Sequence, residues 1–535
     1  MSADRVPATS AEPQREWCSL RRPEGALLWL IIVGTAARFA VAWALGLGNG
    51  ESYYFTAARH LSLSYLDQPP LALWIAHLSL RLTGSVDPLT LRGPFILMFG
   101  GTTWLMFVLG RKLFGPWPGF YAAAVMNLSA IFTIPVASWV QPDGPLMFFW
   151  LCCTLCLAHI FFTPQLKRPM WWWSLTGLTL GLALLTKYHA AFLAAGAAAF
   201  AMSQPPLRRW VVHPGPYVAL LIAAAVFSPV ILWNAQHDWI SLQWQGNRAM
   251  ATRGLSLLDL ARSIGGQALW LSPWIWWPLV IELVRGFAHG RRDGERYFLS
   301  CLAVGPIVVF TLISLWAPLG FHFHWQAPGY LVLFAALGAS VYEALARTDR
   351  RAVWVRRWMQ ASVVLLVLGL SVGVTHATTG WLRIFTPNWL FAQLRKPPSD
   401  PTLEALDYRG LEQVLARHGL LGRKDLFVFS TRWFQTGKVD YALRGQLPVL
   451  NFHRDARNLA FFERPEDWVG KDGVLVTPGH RRQAAEADIT PYFERVTLLE
   501  TLPLYRGRYV ERTLYIYYCR KLLKPYPLPY GKRSW

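Results

Sequence analysis

The chain has 535 residues, of which 53% are apolar and 16% charged, with 28 Trp and a formal net charge of +21. Soluble domains carry roughly 25% charged residues, and here the apolar residues fall in blocks long enough to span a bilayer. A soluble enzyme, a disordered chain and a disulfide-stapled secreted scaffold are thereby excluded. The basic excess is spread over short anchors such as Arg208-Arg209 and Arg356-Arg357, which argues against a nucleic-acid partner.

Residues 1–24 are polar and read as a cytoplasmic N-terminus rather than a cleavable signal, because the apolar stretch that follows is long enough to cross a membrane. Eleven candidate spans follow: 25–46, 92–110, 117–138, 145–163, 171–186, 189–203, 215–233, 268–284, 298–317, 328–345 and 358–376. With the N-terminus inside, the cytoplasmic loops hold 19 Lys and Arg against 6 in the outside loops. That bias is the positive-inside rule, and it sets the orientation. The domain reading is a membrane domain over 25–379 and a C-terminal domain over 380–535, outside.

Two outside loops exceed plain connectors. The first, 47–91, contains Ser52–Leu63 and Pro69–Leu82 with apolar residues at helical spacing, which predicts two helices lying in the interface. The loop 234–267 has the same character. In the tail, Asp425–Ser430, Gly473–Thr477 and Tyr509–Cys519 read as strands between polar helical stretches, so a small α/β domain is expected beside the membrane surface.

Polar residues concentrated at one membrane face are functional candidates, because lipid makes them costly. Five outside segments qualify: Glu51-Ser52-Tyr53-Tyr54, Tyr65-Leu66-Asp67-Gln68-Pro69-Pro70, Gln141-Pro142-Asp143-Gly144-Pro145, Thr186-Lys187-Tyr188-His189 and Trp233-Asn234-Ala235-Gln236-His237-Asp238-Trp239. A weaker sixth is His322-Phe323-His324-Trp325. Carboxylates, a lysine, amides and aromatics suit a sugar and a phosphate. Each segment also has a plain structural reading. Asp67 and Asp143 suit helix N-caps, with Pro in the first turn. Lys187 suits an interfacial anchor, Tyr53 and Tyr54 an aromatic belt, and His237 with Asp238 an ordinary polar loop. Two His alone do not make a metal site. Glu51 stands out as a carboxylate at the outer end of the first span, with no Lys or Arg nearer in sequence than Arg59.

Taken in this order, Glu51-Ser-Tyr-Tyr, Tyr-Leu-Asp67-Gln-Pro-Pro-Leu, Gln-Pro-Asp143-Gly-Pro-Leu, Leu-Leu-Thr-Lys187-Tyr and Trp233-Asn-Ala-Gln-His-Asp-Trp resemble the motifs of bacterial GT-C glycosyltransferases. The similarity, over about residues 25–345, is to the protein mannosyltransferase-like and aminoarabinose transferase-like enzymes, glycosyltransferase families 39 and 83. The resemblance implies a polytopic α-helical fold with interfacial helices in the first periplasmic loop. It implies an inverting transfer at the periplasmic face of the inner membrane. The donor would be a sugar on a polyprenyl phosphate such as undecaprenyl phosphate, and the acceptor lipid A, lipopolysaccharide core, another lipid or a protein. Relatives carry an Asp-Glu pair in the first loop, its Asp taken as the base; here Gly50 occupies the Asp position and Glu51 remains. Asp67 and Asp143 match acidic positions near the donor phosphate, and Lys187 matches the family lysine. Gln68 falls where aminoarabinose transferases have a lysine.

The chemistry asks for a base on the acceptor hydroxyl and donors on the departing phosphate. Glu51 is expected to be the base or to orient the acceptor, its pKa raised by desolvation, with Asp143 as its rival. Lys187 would stabilise the phosphate, and Asp67 and Gln68 would shape the donor site. Tyr53, Tyr54 and Trp325 would stack on sugar or line the lipid groove, and His237 is expected to join them in binding the donor phosphate or sugar. No cofactor is required, and a divalent ion between the carboxylates and the phosphate is compatible. A lipid-linked saccharide flippase, a surface-polysaccharide ligase and a degenerate scaffold are the alternatives; the flippase would want inverted repeats and helices broken at mid-membrane, of which the sequence gives no sign.

Overall fold

The computed structural model describes residues 22–250, 254–317, 322–382, 400–527 and 530; most of the expected cytoplasmic segment 1–24 lies outside them. Each of the eleven apolar segments is helical. Seven helices are long and apolar enough to cross a membrane, or nine if each of two bent pairs forms one span. The helices over the expected spans 171–186 and 268–284 are shorter, Pro169–Leu184 and Pro273–His289, at 16 and 17 residues. The chain is a multi-pass helical membrane protein.

Local chemistry sets these helices. Proline occupies the first turn at Pro23, Pro88, Pro116, Pro169, Pro214 and Pro273, where its missing N–H has no helical acceptor. Asp349 opens the 30-residue helix Arg350–Thr379 by accepting from the Arg351 and Ala352 amides. Small residues let helices touch: a Cβ on Gly110 would stand 2.6 Å from the Gly119 Cα, the close approach by which helices pack in lipid. The largest core cluster runs through the bundle, centred on Trp150, Phe132 and Phe334.

One break shapes the end of the bundle that meets the first loop. The expected span 117–138 bends by 83° after Pro116–Leu128, which turns Val140–Asp143 back toward the first loop. That loop forms helices Asn49–Arg59 and Leu71–Thr83, close to the expected pair. The turn between them is tied to the bundle where the Leu71 amide donates to the Leu185 carbonyl at 2.9 Å. The second outside loop forms helices Ile240–Met250 and Leu257–Leu271.

After residue 382 the described chain resumes at residue 400 with an α/β unit. Its strands are β1 (Leu426–Ser430), β2 (Val449–Asn451), β3 (Asp472–Pro478), β4 (Phe493–Arg506) and β5 (Tyr509–Leu522), in the order β2-β1-β3-β5-β4. β1 pairs in parallel with β2 and β3, and β5 runs antiparallel to β3 and β4. β1, β3 and β5 cover the three expected strands. β2 has three residues, and β4 is an irregular edge with register shifts, so neither has a clear sequence pattern.

Candidate active site

The α/β unit seats its helix Trp433–Ala442 on the Asn49–Arg59 helix. Gly437 makes this contact: a Cβ there would meet the Tyr53 backbone nitrogen at 2.6 Å. Lys438, buried, donates to the carbonyl of Leu47 and to those of Glu404 at 2.7 Å and Leu406 at 3.1 Å. Arg59 reaches back to Asp440 at 2.6 Å. The first loop is therefore held between the bundle and the C-terminal unit.

Asp67 lies buried in that sandwich. Its Oδ2 accepts from the Tyr53 hydroxyl at 3.1 Å and its Oδ1 from Asn458 Nδ2 at 2.7 Å, while Arg457 Nη1 stands 3.7 Å away. The Asn458 side chain also accepts from the Leu66 amide at 2.7 Å, and Gln245 donates to the Asp67 carbonyl at 2.8 Å. Burial pushes the Asp67 carboxyl above the usual carboxylate range, outweighing Arg457 and the Tyr53 and Asn458 hydrogen bonds. Asp67 does not cap the following helix, whose N-cap is Pro70. Gln68 follows it, half-buried in the same turn.

Asp143 and Lys187 form a second buried pair, with Nζ donating to Oδ1 at 2.9 Å. Asp143 caps no helix either: it is the first residue of Asp143–Phe162, after Pro142. The two sites meet at Tyr54. Its phenol is pushed up by burial first and then by the charges of Asp67 and Asp143, against Arg457 and Arg248. Tyr53 is buried and bonded to Asp67, so it is no membrane-belt residue.

Arg248, on the Ile240–Met250 helix, borders the same space. Its guanidinium lies 4.6 Å over the Trp244 ring and 5.5 Å over the Trp325 ring, with Nη2 3.0 Å from His322 Nε2. No carboxylate lies within ion-pair distance of it among the described residues. Burial, then the neighbouring charges, lowers His322 to about 3; the neutral ring accepts from Arg248. Trp325 stacks on His322 at 4.8 Å and 4°.

Glu51 is a correction. It lies in the first turn of its helix, buried, and Arg92 closes on it from 41 residues away. Oε1 accepts from Arg92 Nε at 2.8 Å and the Val140 amide at 3.1 Å; Oε2 accepts from Arg92 Nη2 at 2.6 Å and the Gly48 amide at 2.8 Å. Arg92 spends its other donors on the carbonyls of Ala42, Leu45 and Gly46. Burial alone would raise the carboxyl, but Arg92 and the two amides carry it below its ordinary value. The expected rise is therefore reversed. Four donors on two oxygens clamp the Glu51 carboxylate in place.

His237 also stands apart from the carboxylates. It stacks on Trp233 at 4.1 Å, and its Nδ1 pairs with the Trp233 carbonyl. It lines a cavity of about 660 Å³ with His60, Ser62, Tyr65, Asn458, Phe461 and others. Asp67, Tyr53, Tyr54, Asp143, Lys187 and Trp325 gather in one region; both Glu51 oxygens face Arg92 instead. Among the described residues no group of three or more His, Cys, Asp or Glu could hold a metal ion, and both site carboxylates already face cations.

Four partners were not singled out from the sequence. Arg92 begins an expected span and passes for an anchor, and Arg248 is one of three cations in its loop. Arg457 and Asn458 sit in a tail without a motif, about 390 residues from Asp67. Only folding reveals them.

Residues 67–233 match the model of the dolichyl-phosphate-mannose-protein mannosyltransferase family. The lipid A galacturonosyltransferase RgtD of Rhizobium johnstonii is 25% identical over 272 residues, 49% of this chain and 54% of that protein. The chain thus matches about half the length of this curated relative. The fold is similar to that of ArnT from Cupriavidus metallidurans bound to undecaprenyl phosphate, with a TM-score of 0.59 at 13% identity over 92% of this chain and 98% of that one. The apo state of the same protein gives 0.54 at 12% identity, with the same coverage. The fold is the GT-C fold, and the family resemblance drawn from the motifs is borne out.

Proposed function

We propose that this chain is an inverting glycosyltransferase of the bacterial inner membrane, which moves a sugar from a polyprenyl-phosphate carrier to an acceptor hydroxyl at the periplasmic face. The observation that carries the reading is the gathering of Asp67, the Asp143–Lys187 pair and Arg248 around Tyr54, beneath the C-terminal unit. The likeness to a protein bound to undecaprenyl phosphate and to a dolichyl-phosphate-mannose family supports the carrier. The Lys and Arg bias of the loops supports the periplasmic side.

In this mechanism the acceptor oxygen attacks the anomeric carbon from the face opposite the carrier. The carbon–oxygen bond to the phosphate breaks, and its electron pair leaves on the phosphate oxygen. The acceptor proton passes to Asp67, whose burial-raised affinity for a proton suits a base. Lys187 gives one of its three N–H groups to Asp143, so two remain for the departing phosphate. Arg248, braced by His322 and two indole faces, supplies a second cationic donor. Polyprenyl phosphate is already a good leaving group, so charge stabilisation rather than a strong acid is the requirement. Asp67, rather than Glu51 or Asp143, takes the proton, because the other two are each held by a buried cation at hydrogen-bond distance.

The test is transfer of radiolabelled sugar from polyprenyl phosphate by the full chain in lipid nanodiscs, with total envelope glycolipid as the acceptor pool. Wild type should yield a labelled product, while Asp67→Asn should lower its rate at least about 10²-fold and Lys187→Met should lower it strongly, each per folded enzyme. Lipid movement between leaflets without transfer would overturn the reading.

A further inference from the structure

Arg457 is a cation of this site that the transfer step leaves unused. It opens the turn Arg457–Phe461 with φ of 50°, a left-handed conformation that side-chain-bearing residues adopt rarely. Its guanidinium lies 3.8 Å over the Trp433 ring and 5.9 Å over that of Tyr53. The side chain is only 24% exposed, yet it makes no hydrogen bond among the described residues. Nη1 stops 3.7 Å from Asp67, Nε stops 3.6 Å from Asp455, and Nε is buried without a partner. Asp67 does not fill that edge as placed, since Nη1 stops 3.7 Å short of its Oδ2. A flat guanidinium held on an indole with an unfilled edge suits paired donation to the oxygens of a carboxylate or phosphate.

The next residue leads to open space. Asn458, which bonds Asp67, also lines the cavity of about 660 Å³, with Phe461, Phe462, Trp233 and His237. The Trp233–His237 and His60–Phe462 stacks, at 4.1 and 4.3 Å, give it flat aromatic walls. Its size and lining fit a small saccharide with a few fixed polar contacts.

We infer that Arg457 and this adjoining cavity form a recognition subsite for a second oxyanion, a carboxylate or phosphate monoester on a sugar of the substrate pair, separate from the phosphate that links donor sugar to carrier. The inference rests on the glycosyltransferase reading of the same site and names its substrate class. The anion comes either from a uronic-acid donor sugar or from a phosphorylated saccharide-lipid acceptor.

Four substrate pairs separate these sources: polyprenyl-phosphate uronate or the matching neutral hexose as donor, each with a phosphorylated or dephosphorylated disaccharide lipid as acceptor. With the full chain in nanodiscs, Arg457→Gln should raise the KM of the anion-bearing partner about 10- to 100-fold, the range for a charged hydrogen bond. The KM of the neutral counterpart should hold, and any change in kcat, which comes from the loss of Arg457 beside Asp67, should be the same for all four pairs. Selectivity following the donor assigns the carboxylate; selectivity following the acceptor assigns the phosphate. Arg457→Lys keeps the charge without the fork and should fall between, and it serves if the Gln variant does not fold. An equal rise in KM on all four pairs would give Arg457 to the carrier phosphate and overturn the inference, as would no rise. If wild type transfers nothing, the proposed function fails; equilibrium binding of the same four radiolabelled substrates then reads Arg457 directly. A selective loss for the anionic members upholds the subsite, and an unselective result overturns it.

Discussion

Asn458 and Asp67 are joined by a 2.7 Å hydrogen bond between the C-terminal unit and the first outside loop. The same amide accepts from Leu66, so a single side chain fixes both the backbone and the carboxylate of the site turn. The α/β unit thus supplies a side chain to the candidate site. Replacing Asn458 with Ala leaves Asp67 one donor short and the Leu66 amide unpaired, each costing about 1–3 kcal/mol. The expected outcome is a drop in transfer of at least tenfold together with a lower unfolding temperature in detergent. Asn458→Asp should be worse, because it sets two buried carboxylates against each other.

Glu51 provides the sharpest contrast with the sequence reading. If it were the base, Glu51→Gln would stop transfer and leave stability nearly unchanged. The clamp predicts the reverse emphasis: removing one charge of a buried pair strands Arg92 and costs about 3–5 kcal/mol. Glu51→Gln should therefore unfold at markedly lower temperature and lose activity in proportion to folded protein. Thermal unfolding beside a transfer assay normalised to folded enzyme checks this. The pair Glu51→Leu with Arg92→Met should recover part of the lost stability, because no lone charge is left.

That contrast also marks where the sequence was legible. Spans, interfacial helices and three strands follow from hydrophobic period and block length, which are local properties. The region holding Asp67, Asp143 and Lys187 was legible because topology alone puts their loops on one face. The role of each carboxylate was not, because it depends on which cation closes over it. Arg92 reaches Glu51 across 41 residues and Arg457 approaches Asp67 across 390, and no local pattern records either pairing. Gln68 illustrates the same limit: cations brought from elsewhere, Arg248 and Arg457, stand near a turn whose own sequence lacks one.

The raised Asp67 pKa has consequences for pH that run in opposite directions for rate and stability. Only the ionised carboxylate accepts a proton, so kcat/KM should fall as pH drops through a value above the ordinary Asp range of about 4. The folded state holds its proton to higher pH than the unfolded chain does. The stability contributed by this group is then fully present below the unfolded pKa and lost as pH rises through the folded one. Between those limits, acidification should slow transfer while protecting the local fold. Asp67→Asn should remove that limb and lower kcat about 10²- to 10⁴-fold. A pH–rate profile of wild type, with thermal unfolding of both proteins over the same range, tests both halves. An unchanged acid limb in the Asn variant would move the base elsewhere.

Lys187 and Asp143 are mutually dependent. Lys187→Met leaves Asp143 buried without its cation, again about 3–5 kcal/mol, and also removes a donor to the leaving phosphate. Asp143→Asn leaves the lysine free to contact phosphate but imprecisely placed. The single variants should therefore differ: the Met change should lower kcat strongly, and the Asn change should lower it less. A double-mutant cycle on unfolding free energy should show a coupling of at least about 1 kcal/mol, as expected for groups in contact.

Lys438 ties the two halves of the molecule by a different chemistry, with one ammonium on three carbonyls. Leu47 belongs to the entry of the first outside loop, whereas Glu404 and Leu406 belong to the C-terminal unit. The bond to Leu47 therefore crosses the contact that Gly437 makes with Tyr53. Lys438→Met keeps much of the volume but leaves three carbonyls without this donor, at about 1–3 kcal/mol for each that stays dry. The unit should then loosen from the loop before either half unfolds. Limited proteolysis should cut the variant faster than wild type, and transfer should fall because Asn458 no longer holds Asp67. Gly437→Ala attacks the same contact sterically, since its Cβ would fall 2.6 Å from the Tyr53 nitrogen, and should reproduce both effects. If neither substitution changes the transfer rate, the C-terminal unit does not position the site.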